Sequence, residues 1–189
     1  NDICPEAREY ERFSTTVANS FVRPLMINYL NDFEKALKKF GFVGSLFLLS
    51  SDAGITTIEQ AKKTPIRLVE SGPAGGVAFA SIIAKSMNEN QVISLDIGGT
   101  TAKICYLENG EAIKKRRFEI ARTKIGKKGS GLPLRIPSID LLEIGAGGGS
   151  VAKIDDLGRI QIGPESMSSF PGPSCYNLGG TKATITDAN

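Results

Sequence analysis

Up to residue 40 the apolar positions recur at helical spacing. Phe21, Leu25, Met26, Tyr29, Leu30, Phe33, Leu37 and Phe40 fall three or four residues apart, which predicts an amphipathic helix ending near residue 40. Pro5 suits its first position, where a missing N–H is no loss, and Pro24 predicts a kink or a place in the first turn. Gly41 and Gly44 follow as terminators. SLFLLS (45–50) and IRLVE (66–70) predict short strands, and Thr57-Ile58-Glu59-Gln60 has the spacing of a capping box for a brief helix. SGPAGG then predicts a glycine-rich turn into a helix, with Pro73 near its first position and so little polar face that burial is expected. VISLDI (92–97) and AKICYLE (102–108) alternate as strands, Asn109-Gly110 is a hairpin turn, and a third strand is predicted over 112–122. SIDLLEI leads into GAGGGS, and VAKID and RIQIG form a hairpin around Asp156-Leu157-Gly158.

The segment between the strands ending at Ile97 and starting at Ala102 carries the most chemistry. Asp96 precedes Gly98, Gly99, Thr100 and Thr101. Glycines let backbone N–H groups close around phosphate oxygens with no side chain in the way. The spacings GxxxxGK[ST] and GxGxxG are missing, and a strand rather than a helix follows the turn, so neither usual strand–turn–helix phosphate loop fits. The order is instead strand, DxGGT turn, strand, NG turn, strand: a β-meander. In this reading the two glycines and two threonines hold phosphates, and Asp96 orients water on Mg2+, which keeps several waters and takes one or two carboxylates. Lys103 adds a cation if its side chain points inward. A solvated aspartate beside a tight turn is the plainer alternative.

Composition narrows the chemistry. With 41% hydrophobic and 23% charged residues the chain is ordinary globular material, and its formal charge of +3 does not argue for nucleic acid. It contains no histidine, which removes histidine bases, histidine metal ligands and Ser-His-Asp or Cys-His pairs. Three widely spaced cysteines, with no CxxC, read as reduced thiols of a cytoplasmic protein. No apolar run is long enough to predict a membrane span.

ESGPAGG, LDIGGTT, IGAGGGSVAKID and IGPESMSSFPGPSCYNLGGTKATITDAN together resemble the hydantoinase A/5-oxoprolinase family, within the actin, hexokinase and Hsp70 ATPase superfamily. The resemblance covers essentially the whole chain. It implies an α/β fold: part of an actin-like (ribonuclease H-like) ATPase, with residues 1–72 ending a first lobe, 73–90 a connecting helix, and 91–189 starting a second lobe with the phosphate hairpin. It implies ATP and Mg2+ as cofactors, a cyclic amide as substrate, and phosphorylation of the carbonyl oxygen. It also implies a second subunit or domain of the hydantoinase B type; the small net charge and the lack of a long apolar run argue for neither nucleic acid nor membrane as partner. Asp96 would serve catalysis and metal, Asp187 the metal side. Gly145, Gly147, Gly148, Gly149 and Ser150 would line the nucleotide cleft, and Gly75 and Gly76 would sit at a hinge near phosphate. This chain reads Thr101-Ala102-Lys103 where the family usually has Ser-Thr-Asp, which brings it closer to small-molecule kinases of the superfamily. It also reads Ser51-Asp52-Ala53-Gly54 where members tend to have SNGG. A ketone carboxylase subunit, a kinase or a non-catalytic structural segment are the alternative functions.

Three further clusters have plainer readings. Lys114-Lys115-Arg116-Arg117 with Lys124, Lys127 and Lys128 reads as a solvated edge. Ser14, Thr15, Thr16 and Asn19 read as a helix N-cap or as a cleft-facing patch. Asp155-Asp156 reads as turn chemistry, centred on Asp156.

Overall fold

A computed structural model describes residues 2–120 and 129–189. Lys124, Lys127 and Lys128, and the last part of the strand expected over 112–122, lie outside the described residues. In chain order the elements are α1 (Glu9–Lys39), β1 (Phe47–Leu49), β2 (Ile55–Thr57), α2 (Ile58–Lys63), a 3-10 turn (Pro65–Leu68), α3 (Ser71–Met87), β3 (Gln91–Ile97) and β4 (Ala102–Glu108). Then come β5 (Glu111–Ala112), β6 (Lys114–Lys115), β7 (Phe118–Ile120), β8 (Leu132–Leu134), β9 (Ser138–Ile139), β10 (Leu142–Ile144), β11 (Ser150–Ile154) and β12 (Ile160–Ser166). This mixed α/β chain forms two compact units, residues 1–92 with 107–140 and residues 93–106 with 141–189. The contiguous division expected at residues 72 and 90 does not coincide with them, because the chain returns to the first unit after β4.

In the first unit α1 begins at Glu9, not at Pro5, and runs through Pro24. Both Pro24 and Ser20 are exposed, so water can satisfy the carbonyl that proline leaves without a donor. Of the expected apolar stripe only Leu30 is buried, with Met26 packed beside it. Phe21 is 85% exposed and Leu25 73%, whereas Glu11, Thr15, Ala18, Asn19 and Leu30 are buried. The buried polar residues staple the helix to other backbone. Ser14 Oγ donates to the Pro133 carbonyl at 2.6 Å, and Thr15 Oγ1 accepts the Arg135 N–H at 2.8 Å. Asn19 donates to the Lys63 carbonyl and accepts the Ile66 N–H, both at 3.2 Å. These residues are therefore neither an N-cap nor a cleft patch.

IRLVE is also not a strand. Pro65 fixes φ and lacks a ladder donor, Asn19 takes the Ile66 N–H, and the Ser51 N–H and hydroxyl both donate to the Arg67 carbonyl, at 2.8 and 2.6 Å. The backbone is satisfied without a partner strand. The turn also joins two small cores: Ile66 packs with Ala18, Leu134 and Ile136, and Leu68 packs against Leu30, Ile58 and Ala61. Thr57 caps α2 as expected, accepting the Gln60 N–H at 3.3 Å. The Gln60 side chain completes no box and donates to Thr64 Oγ1 instead.

Helix α3 starts at Ser71, so Gly75 and Gly76 lie inside it rather than in a turn before it. The expectation of a largely buried helix fails: only Ala74, Val77 and Ala84 are buried, and Phe79 and Ile82 are each 65% exposed. A Cβ on Gly75 would stand 2.7 Å from Leu49 Cδ1, so glycine here serves close packing on β1. Ser81 Oγ donates to the Gly110 carbonyl, tying α3 to the hairpin turn. Asn109 (φ 53°) and Gly110 (φ 72°) form that turn, and Leu107 and Glu108 pair with Ala112 and Glu111. The third strand is not continuous: β5 pairs with β4, β6 with β9, and β7 with β8. The chain changes partner every few residues, a pattern that alternation alone does not reveal. Lys114, Arg116 and Arg117 are exposed, whereas Lys115 is half-buried, its Nζ meets Asp140 Oδ1 at 2.6 Å and its strand is paired rather than an edge on that side. Among the described residues no helix is long and apolar enough to cross a membrane.

The second unit contains parts of β3 and β4, with β10 on β4, and the antiparallel hairpin β11–β12. The hairpin turn depends on Asp155 rather than Asp156. Its Oδ1 accepts the Leu157 and Arg159 N–H groups, both at 2.9 Å, and its Oδ2 accepts Arg159 Nε at 2.8 Å. The Arg159 N–H and then its guanidinium hold the Asp155 carboxyl below the usual range.

Candidate phosphate-binding site

The turn between β3 and β4 is closed by the Gly98 N–H donating to the Thr101 carbonyl at 2.9 Å. Residues 98–101 form no helix, and β4 starts at Ala102. Among the described residues, the N–H groups of Gly99, Thr100 and Thr101 have no backbone acceptor. Three successive donors left open on a glycine turn are what an anion needs. Asp96, next to last in β3, is exposed.

The GAGGGS run is stacked on this turn. The Gly148 N–H donates to the Gly98 carbonyl at 2.9 Å and the Gly149 N–H to the Gly99 carbonyl at 2.7 Å. On its other side the run accepts the Thr186 N–H at the Gly148 carbonyl, 2.9 Å, and the Met167 N–H at the Gly149 carbonyl, 2.8 Å. Four backbone segments thus meet here through main-chain hydrogen bonds. A Cβ on Gly147 would stand 2.6 Å from the Gly98 carbonyl oxygen, and one on Gly148 2.6 Å from Thr186 Oγ1. Ser150, expected to line the cleft, is buried, and its Oγ accepts the Gly147 N–H at 3.0 Å. It shapes the run instead. Gly145, the first residue of the run, is exposed.

A cleft of about 400 Å3 opens beside the turn, lined by Gly99, Thr100, Gly149, Ser168, Tyr176 and Thr186 among others. Ser168, Tyr176 and Thr186 were not singled out from the sequence. The segment 162–189 carries a family signature, but nothing in its local pattern says which of its hydroxyls and rings face a common space. Lys103 does not line the cleft; it is the cross-strand partner of Glu143 between β4 and β10. Gly75 and Gly76 are helical residues of the first unit.

Asp187, expected on the metal side, has a structural task instead. Its Oδ1 accepts the Cys175 N–H at 2.7 Å, and its Oδ2 accepts the Thr184 N–H at 2.7 Å and the Thr184 hydroxyl at 2.8 Å. The Cys175 N–H, followed by the Thr184 donors, holds this carboxyl far below the usual range, against partial desolvation. Desolvation and then the Asp187 carboxylate push the Cys175 thiol up, which suits no nucleophilic role. Cys4 and Cys105 are buried and join no disulfide among the described residues. Among the described residues no group of three or more His, Cys, Asp or Glu could hold a metal ion.

Residues 12–189 match the family model described as hydantoinase/oxoprolinase. The chain belongs to this family. An uncharacterized protein of Methanocaldococcus jannaschii is 44% identical over all of this chain and 28% of its own length. Caprolactamase subunit alpha of Pseudomonas jessenii is 32% identical over all of this chain and 26% of its own length. The crystal structure of the ATP-dependent caprolactamase from that organism superposes with a TM-score of 0.71 at 30% identity, over 100% of this chain and 26% of that one. A nucleotide-free acetone carboxylase structure gives 0.72 at 25% identity, over 98% of this chain and 25% of that one. The chain thus spans about a quarter of the length of these relatives.

Proposed function

We propose that this chain is the nucleotide-phosphate segment of an ATP-dependent cyclic amide hydrolase of the hydantoinase/oxoprolinase type, belonging to an actin-like ATPase fold. One observation carries the reading: three open N–H donors at Gly99, Thr100 and Thr101, held in place by the glycine run stacked behind them. Family membership adds the reaction class, since a relative in the same family is named an ATP-dependent caprolactamase.

The donor set fits a phosphate chain, which presents anionic oxygens to backbone N–H groups and hydroxyls. It fits Mg2+ only in the form that ion prefers, with one or two carboxylates and the remaining positions taken by waters and phosphate oxygens. Asp96, exposed at the end of β3, would be that carboxylate; Asp187 is already engaged. ATP, when bound, supplies the phosphoryl group that makes an amide carbonyl open to water. Gly99 to Thr101 would bind and orient its phosphates, and the stacked glycines would keep side chains out of their way. Such transfer depends on positioning and charge stabilisation more than on a protein nucleophile, in keeping with a chain that has no histidine. A second subunit of the hydantoinase B type would complete the enzyme, as relatives are named as subunits.

The test is a calorimetric titration of the full protein with Mg-ATP, unaltered and as Asp96→Ala. Binding that falls at least tenfold in the variant supports the reading; no binding to the unaltered protein overturns it. An ATP-dependent carboxylase is the second reading, favoured by the acetone carboxylase likeness. Product analysis separates them: a ring-opened amide against a carboxylated ketone that forms only with bicarbonate.

A further inference from the structure

The cleft beside the phosphate turn has two chemically different parts. Gly99, Thr100 and Gly149 bring backbone groups and a hydroxyl, whereas Tyr176 brings an aromatic ring; Pro173, in the same wall, is almost fully buried. Tyr176 is 51% exposed there, an aromatic ring left half in water beside an anion site. Its position is well determined by the chain. It ends a 3-10 turn, Ser174–Tyr176, whose Tyr176 N–H donates to the Pro173 carbonyl at 3.1 Å. The preceding Cys175 N–H is held by Asp187 at 2.7 Å, and Asp187 in turn holds Thr184, two residues from Thr186 in the same wall. Gly172 (φ 77°) lets the ring lie close: a Cβ there would stand 3.0 Å from Tyr176 Cδ2.

We infer that Tyr176 is the platform on which the nucleobase of the bound nucleotide stacks. The inference rests on the phosphate reading above and adds to it the other end of the ligand. A cavity of about 400 Å3 is in the range of small-molecule sites, generally about 300–1,000 Å3. A phosphate gains nothing from an apolar ring face, but a base has a π-face to lay on one, and the tyrosine loses little conformational freedom in receiving it. Tyr176 is then a specificity residue for nucleotide over plain polyphosphate.

The full protein, unaltered and as Tyr176→Ala and Tyr176→Phe, is titrated calorimetrically with Mg-ATP and with inorganic tripolyphosphate. Tyr176→Ala is expected to weaken ATP about tenfold, in line with the loss of one stacked base, and to leave tripolyphosphate within twofold. Tyr176→Phe, which keeps the ring, is expected to bind ATP like the unaltered protein and guards against a folding defect in the alanine variant. If tripolyphosphate binds and Tyr176→Ala leaves ATP affinity unchanged, the stacking role is overturned while the phosphate site stands. Equal weakening of both ligands in Tyr176→Ala overturns it too. If neither ligand binds the unaltered protein, the phosphate reading falls and this inference with it.

Discussion

Two glycine-rich segments, SGPAGG at 71–76 and GAGGGS at 145–150, look alike as sequence and were both expected at a nucleotide. The first is wound into α3, and the second is an open turn stacked on another turn. What separates them is the neighbour each glycine faces. A Cβ on Gly72 or Gly76 meets nothing within 4 Å, and one on Gly75 meets only the flexible end of Leu49. A Cβ on Gly147 runs into the backbone of Gly98 and Thr100, at 2.6 Å. Glycine in the first segment is mostly optional; in the second it is a condition of backbone meeting backbone. Glycine content therefore does not tell a helix start from a packed turn, but contact of one loop's amides with another loop's carbonyls does.

Gly147→Ala should have the largest effect, because rigid backbone cannot move aside as a side chain can. Overpacking of this kind costs about 1–3 kcal/mol, and the displaced turn should lose at least tenfold in tripolyphosphate affinity; thermal melts and titration check both. Asp187→Asn comes next. An amide nitrogen cannot accept, so either Cys175 or Thr184 loses its partner, and the melting temperature should fall at pH 7.

Acid sharpens that result. The folded-state pKa of Asp187 is depressed, so its contribution is fully present above the ordinary carboxylate value, about 3.9. It is lost as pH falls below that value toward the folded one. The gap in melting temperature between unaltered protein and Asp187→Asn should thus hold steady from pH 7 to 5 and shrink below about pH 4. A gap independent of pH would remove the carboxylate from the explanation.

Gly75→Ala should be milder, as Leu49 can shift its terminal methyl; the strain and the gain in helix propensity oppose each other, leaving a net change under about 1 kcal/mol. Gly76→Ala is the smallest and has the opposite sign. With open space around it inside a helix, alanine should stabilise by about 0.5–1 kcal/mol. Denaturant melts of the pair decide this end of the comparison. A Gly76→Ala variant as damaging as Gly147→Ala would erase the distinction between the two runs.

Local chemistry made several features legible beforehand. Asn109-Gly110 requires positive φ at two successive residues, and few structures other than a tight hairpin use it. The strands 92–97 and 102–108, the Thr57 cap and the hairpin after Ile154 were likewise set by short-range rules. The misreadings share a cause. IRLVE looks like a strand, but Asn19 and Ser51, distant in sequence, satisfy its backbone and let it coil. The stripe on α1 looks like a core face, yet only Leu30 of it is buried, and Thr15 and Asn19 hold the rest of the helix to its unit. Asp187 looks like a metal ligand until Cys175 and Thr184 are found on its oxygens.

The order of residues alone determined the turn chemistry, the family, the lack of any histidine within these residues and the possibility of a phosphate loop, since each depends on residue type and near neighbours. Tertiary structure alone decided which glycine run supports that loop, which aspartate is already engaged and which ring borders the cleft. Those outcomes depend on contacts between segments tens of residues apart, where hydrogen-bond partners and excluded volume are set by the whole fold.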